Sequence, residues 1–182
     1  LGEGFTVVAS GERRERLETR GVTINGVNYK FPIANPKDRH EPADLVIIAT
    51  KDTGLAAAIE DIANLVGPGT QIMSVLNGTE SEEKVAAAYG WERVLWSYMR
   101  ASIAMKDGVA DFDPNWGEVH FGERKNDGPL TGRVLAIKAL FDRAKIPYEI
   151  DADMIFGIWR KFMSNIGENM TCALLGIPFG YF

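Results

Sequence analysis

The segment that most constrains the fold is Leu45-Val46-Ile47-Ile48-Ala49, five apolar residues in a row between Asp44 and Thr50-Lys51. A strand wetted on one side alternates apolar and polar residues. An unbroken apolar run belongs to a parallel strand covered on both faces. Parallel neighbours need a crossover between them, and the next residues supply one. An Ala-, Ile- and Leu-rich helix over residues 53–66 is stopped by Gly67-Pro68-Gly69. Gln71-Ile72-Met73-Ser74-Val75-Leu76 then reads as a second buried strand, and residues 81–89 as another helix. This β-α-β-α order predicts a doubly wound α/β domain.

The flanking segments are less regular. Residues 5–9 form a short β-rich run, followed by a charged helical segment over 12–19. Val22-Thr23-Ile24 and residues 27–31 read as a hairpin around a tight Asn25-Gly26 turn. Residues 32–42 are a polar connector. Beyond residue 90, strands are expected over 94–104 and 118–122, with a turn at Asp107-Gly108, then a helix over 130–144 and a short strand over 147–150. Asp151 or Asp153 can cap a long final helix. A boundary near residue 150 separates an α/β domain, residues 1–150, from the start of an all-helical domain, residues 151–182.

Composition excludes several classes. A net charge of −5 argues against a general nucleic-acid or membrane-surface binder, so an anionic ligand would need locally placed cations. No run of apolar residues is long enough to span a membrane. The single cysteine, Cys172, rules out an internal disulfide and suits a reducing compartment. His40 and His120 lie far apart without metal-ligand spacing, so no metal site is expected. The chain starts with Leu1 and ends in Tyr181-Phe182, and both ends are expected to be cut from a longer protein.

The final helix carries the most pointed chemistry. Lys161, Asn165 and Asn169 are spaced i, i+4, i+8, which stacks them along one α-helical face. One ammonium and two carboxamides can hold a polar anion, and the lysine can protonate an oxygen that becomes charged. On pattern alone the stripe is also the solvated face of an amphipathic helix, opposite Phe156, Trp159, Phe162, Met163, Ile166 and Met170. Asn costs roughly half a kcal/mol relative to Ala in a helix interior, so two of them one turn apart suggest amides with partners.

Ligands in open α/β sheets bind at the carboxyl ends of the strands. Two of the buried strands end in Thr50-Lys51 and in Asn77-Gly78, which places Lys51 and Asn77 on one rim. Alone, Lys51 reads better as a solvated strand end and Asn77-Gly78 as a tight turn; together, in successive strands, they point to a site. Arg13 and Arg14, in Ser10-Gly11-Glu12-Arg13-Arg14, follow the first strand, where a cation suits a ribose 2′-phosphate. They are equally surface residues of an exposed helix start. Gly2-Glu3-Gly4 precedes a strand, so it is not a phosphate loop, which must follow one.

Asp44-Leu45-Val46-Ile47-Ile48-Ala49-Thr50-Lys51, then Val75-Leu76-Asn77-Gly78, then Gly117-Glu118-Val119-His120-Phe121-Gly122, then Trp159-Arg160-Lys161 with Asn165 and Asn169, resemble the ketopantoate reductase (2-dehydropantoate 2-reductase) family. The resemblance implies a Rossmann-like dinucleotide-binding domain followed by a helical substrate and dimerisation domain, here lacking the N-terminal glycine loop and the later helices. It implies NADPH-dependent reduction of 2-dehydropantoate, a 2-oxo acid, to (R)-pantoate on the route to coenzyme A, in the cytoplasm, and leaves a homodimer open. Lys161 would be the general acid, Asn165 and Asn169 would bind substrate, Asn77 would lie between substrate and nicotinamide ribose, and Lys51 beside the cofactor. The family often has Arg where this chain has Ser10, so a preference for NADP depends on Arg13 or Arg14 replacing it at the 2′-phosphate. A related hydroxyacid dehydrogenase and a non-catalytic dinucleotide-binding fragment are the alternatives.

Overall fold

The computed structural model describes residues 4–106 and 109–178. The expected turn at Asp107-Gly108 and most of Gly2-Glu3-Gly4 lie outside that range. The elements are β1 (Val7–Val8), α1 (Gly11–Arg20), β2 (Val22–Ile24), β3 (Val27–Tyr29), β4 (Ile33–Ala34), β5 (Leu45–Ile48), α2 (Leu55–Asp61), β6 (Gln71–Ser74) and α3 (Ser81–Tyr89). They continue with β7 (Val94–Lys106), β8 (Val109–Gly122), α4 (Gly132–Ala144), β9 (Tyr148–Glu149), α5 (Met154–Ser164), a π-helical segment (Asn165–Met170) and α6 (Thr171–Leu175).

The main sheet runs β3-β2-β8-β7-β6-β5, with β9 added to β8. β5, β6 and the start of β7 are parallel, in register from Leu45↔Gln71 to Ile48↔Ser74 and at Ile72↔Val94. β7 and β8 form a long antiparallel hairpin. Alternate side chains go to opposite faces. Val46, Ile48 and Ile72 pack with Leu55, Ile62 and Val85 on one side. Met73, Leu95 and Phe121 pack with Val134, Ile137 and Phe141 of α4 on the other. Helices on both faces of a parallel core make the fold Rossmann-like α/β.

Three details differ from the sequence reading. β5 is not buried on both faces: it is an edge strand, and Ile47 is 46% exposed because α4 covers Met73 and Leu95 and reaches only Leu45. The connector over residues 32–42 holds β4, which pairs in parallel with β1 in a separate two-stranded sheet. A two-residue strand, Ile33–Ala34, is too short to show a period. The helix expected over 53–66 is α-helical only in its middle, with 3-10 turns at Asp52–Gly54 and Ala63–Leu65.

The hairpin of β2 and β3 turns as expected. Asn25 (φ 47°) and Gly26 (φ 78°) both take the left-handed conformation a two-residue turn requires. Asn25 then ties the hairpin to β8, its amide exchanging bonds with the backbone of Phe112 at 2.8 and 2.9 Å.

Candidate active site

α5 is started by Asp153, whose carboxylate accepts from the Phe156 backbone N–H at 3.1 Å. The helix docks on β7 through Met154 and Ile158 against Trp96 and Tyr98. Met154, Gly157, Ile158 and Lys161 follow the i, i+3, i+4, i+7 pattern of one helical face. Lys161 therefore extends the docking face and does not point to solvent with the rest of the polar half. The approach is close: a Cβ on Gly157 would sit 2.3 Å from Asp151 Oδ2 and 2.8 Å from the Tyr98 hydroxyl. Only glycine lets α5 come this near β7.

The docking carries Lys161 across the Tyr98 ring, with Nζ 5.9 Å from the centroid, to the loop after β6. There Nζ donates to Asn77 Oδ1 at 2.9 Å. Two residues 84 positions apart in sequence are thus joined directly. Burial pushes the Lys161 ammonium below the ordinary lysine range; the charge of Arg100 adds to this and that of Glu82 opposes it. A cleft of about 190 Å³ opens beside the pair, lined by Asp52, Asn77, Gly78, Lys84 and Phe162 among others. Lys84 forms ion pairs with Asp52 and Glu80 at its rim.

Beneath Lys161 lies a buried polar network that the sequence reading missed. The Tyr98 hydroxyl donates to Asp151 Oδ2 at 2.7 Å, and its ring stacks on His120 with centroids 4.2 Å apart. Burial, with Asp151 adding to it, pushes the Tyr98 phenol well above its usual range. His120 Nδ1 faces Asp151 Oδ1 at 2.9 Å and Nε2 faces Glu118 Oε1 at 3.2 Å. Glu118, His120 and Glu149 also bring one potential metal-ligand atom each within 4.8 Å of one another. Both ring nitrogens already have carboxylate partners, so the group reads as a polar cluster tying β8, β9 and the entry to α5.

Glu82, at the start of α3, is the second buried group. Its carboxylate accepts from the Ser81 hydroxyl at 2.9 Å and the Ser97 backbone N–H at 3.3 Å. Ser74 donates to Ser81 at 2.8 Å and Ser97 donates to the Ser74 carbonyl at 2.8 Å. Burial pushes the Glu82 carboxyl upward, and these donors only partly offset it. Neither Glu82 nor Tyr98 stood out in sequence, because Glu82 sits in the acidic run Glu80-Ser81-Glu82-Glu83 and Tyr98 in a generic apolar strand.

The other expected site residues are placed less tightly. Lys51 is exposed three positions beyond β5, as Asn77 is beyond β6, so both lie on the carboxyl rim of paired strands. Asn165 and Asn169 make no hydrogen bond to another described residue through their side chains. The continuous α-helix expected for them becomes π-helical at Asn165. Its i→i+5 bonding widens the turn, so Asn169 falls short of the stripe that α-helical spacing predicts. Ser10 caps α1 without a side-chain hydrogen bond. Arg14 is committed to Glu18 at 2.7 Å, while Arg13 is exposed. These three follow β1, in the separate small sheet.

Residues 2–126 match the sequence profile of the family described as ketopantoate reductase PanE/ApbA. The chain belongs to the ketopantoate reductase family. Among curated relatives of this family member, the 2-dehydropantoate 2-reductase of Streptococcus pyogenes serotype M1 is 24% identical over 167 residues, 90% of this chain and 54% of the relative. The chain thus spans about half the length of the curated relatives it matches. Among solved structures, 2-dehydropantoate 2-reductase from Geobacter metallireducens GS-15 superposes with a TM-score of 0.76 at 24% identity, covering 94% of this chain and 57% of that one. D-mandelate dehydrogenase with NADH and anilino(oxo)acetate gives a TM-score of 0.75 at 21% identity, covering 94% and 56%. These likenesses carry the fold. No helix among the described residues is long and apolar enough to cross a membrane.

Proposed function

We propose that this ketopantoate reductase family member belongs to an NADPH-dependent enzyme that reduces 2-dehydropantoate to (R)-pantoate in the cytoplasm, with Lys161 as general acid. The observation that carries the reading is the half-buried Lys161 ammonium, lowered in pKa and bonded to Asn77, which lines the cleft at the strand ends.

The residues present fit a dinucleotide. Lys51, Asn77 and Gly78 lie on the carboxyl rim of a Rossmann-like sheet, the position at which such sheets receive one. When bound, NADPH would supply the hydride that a ketone carbon accepts. Arg13 is the cation available for a 2′-phosphate, since Arg14 is held by Glu18.

Reduction turns the ketone oxygen into an alkoxide. The Lys161 ammonium stabilises that charge and donates a proton to the oxygen, and solvent returns the proton to the neutral amine. Asn77 accepts from Nζ and so fixes the direction of donation. The lowered pKa brings the acid nearer the working pH. Asn165, one turn beyond Lys161, and Asn169 would hold the rest of the substrate. The domain division at residue 150 and a homodimer belong to the same proposal. Trp159 and Met163, 50% and 69% exposed on the outer side of α5, are apolar surface that needs cover.

The mandelate dehydrogenase likeness favours a second reading, an NADH-dependent reductase of another 2-oxo acid. Oxidation of NADPH and of NADH with 2-dehydropantoate and with an aryl 2-oxo acid, using the full-length protein, separates the two.

A further inference from the structure

A 2-oxo acid brings two groups that need a partner to the Lys161 site, the ketone oxygen and an adjacent carboxylate. Lys161 serves the first. We propose that Arg100 receives the second, as the residue that makes the site specific for acids; the assignment rests on the reductase reading above.

The placement follows from β7. Residues i and i+2 of a strand share a face, so Arg100 stands on the same side as Tyr98, whose ring lies under Lys161 Nζ. Arg100 and Lys161 are close enough that the guanidinium charge acts on the ammonium. Two cations placed together repel each other, and Glu82 offsets this only in part. A substrate carboxylate between them relieves that repulsion.

The guanidinium is also uncommitted among the described residues. Arg100 is exposed and makes no hydrogen bond or ion pair with another described residue. Its cross-strand partner is Glu118, the acid best placed to neutralise it. Glu118 turns its carboxylate to His120 Nε2 at 3.2 Å instead. The His120, Asp151 and Tyr98 cluster thus holds the neighbouring acid away, leaving a planar donor fork free for a carboxylate.

The groups facing Lys161 are Asn77 from the loop after β6, Glu82 from α3, and Tyr98 and Arg100 from β7. Removing Arg100 takes away a charge that lowers Lys161, so the alkaline limb of the rate moves to higher pH.

The test compares wild type, Arg100→Gln and Arg100→Lys in the full-length protein, with 2-dehydropantoate and with its methyl ester, which keeps the ketone and lacks the anion. Arg100→Gln is expected to raise KM for the acid by about 10- to 100-fold, the worth of a charge-assisted hydrogen bond, with kcat little changed. KM for the ester should be unmoved, and Arg100→Lys should recover part of the loss. An Arg100→Gln variant that keeps the wild-type KM for the acid overturns the assignment and leaves the reductase reading standing. A wild-type protein that reduces no 2-oxo acid, with either nicotinamide cofactor, overturns that reading and the assignment with it.

Discussion

Lys161 Nζ reaches Asn77 Oδ1 at 2.9 Å, and this contact closes α5 onto the rim of the parallel sheet. It joins the segment that carries the proposed acid to the loop at which a dinucleotide is expected. Asn77→Ala removes the acceptor and leaves the ammonium free to swing. The expected result is a fall in kcat of about 10- to 100-fold, the range for a hydrogen bond to a charged group, with thermal stability unchanged. Steady-state kinetics beside a melting curve check both halves.

The lowered Lys161 pKa has a definite consequence for the pH profile. A general acid works in its protonated form, so kcat/KM is high below the Lys161 pKa and falls as pH rises through it. Burial and Arg100 place that fall below the ordinary lysine value of 10.5. An alkaline limb at or above that value contradicts the role. Because Glu82 opposes the lowering, Glu82→Gln should move the limb to lower pH still.

Glu82 also predicts a pH dependence of stability. Its folded pKa is raised above the ordinary 4.5 by burial. A carboxyl raised in this way costs stability once the pH exceeds its unfolded value, and the cost grows until the folded value is passed. Melting temperatures of wild type and Glu82→Gln, measured from pH 4 to pH 8, should therefore diverge as pH rises. The variant is expected to gain on the order of a few degrees relative to wild type. Parallel curves contradict the burial argument.

Gly157 is the tightest point of the α5 docking. Gly157→Ala places a methyl group against Asp151 Oδ2, the Tyr98 hydroxyl and Tyr98 Cε1 at 2.3, 2.8 and 2.9 Å. Overpacking of this kind costs about 1–3 kcal/mol. Here it should also tilt Tyr98 and displace Lys161. Denaturant unfolding reads the first effect. A drop in kcat larger than that of Ser164→Ala, at an exposed position of the same helix, reads the second.

Much of the scaffold was legible because it is periodic. Helix α3 spans the same 81–89 as the pattern, and the Asn25-Gly26 hairpin closes as its turn chemistry demands. Lys161 and Asn77 were each visible, one by helical spacing and one by its place after a buried strand. What joins them was not. In sequence Lys161 reads as part of a polar stripe, and only the contact of Met154 and Ile158 with Trp96 and Tyr98 shows that its side of the helix docks. The π-helical turn at Asn165 is invisible to an argument that assumes 3.6 residues per turn. Glu82 and His120 are ordinary polar residues until the fold buries them, Glu82 against Ser81 and Ser97 and His120 against Asp151.

The central claim is that Lys161 protonates the product oxygen. The most direct measurement is NADPH oxidation with 2-dehydropantoate by the full-length protein and its Lys161→Ala variant, with cofactor binding followed by fluorescence. Loss of about 10²- to 10⁴-fold in kcat, the usual worth of general acid catalysis, with cofactor affinity retained, is the predicted result. A Lys161→Ala variant that turns over within a few-fold of wild type would contradict it.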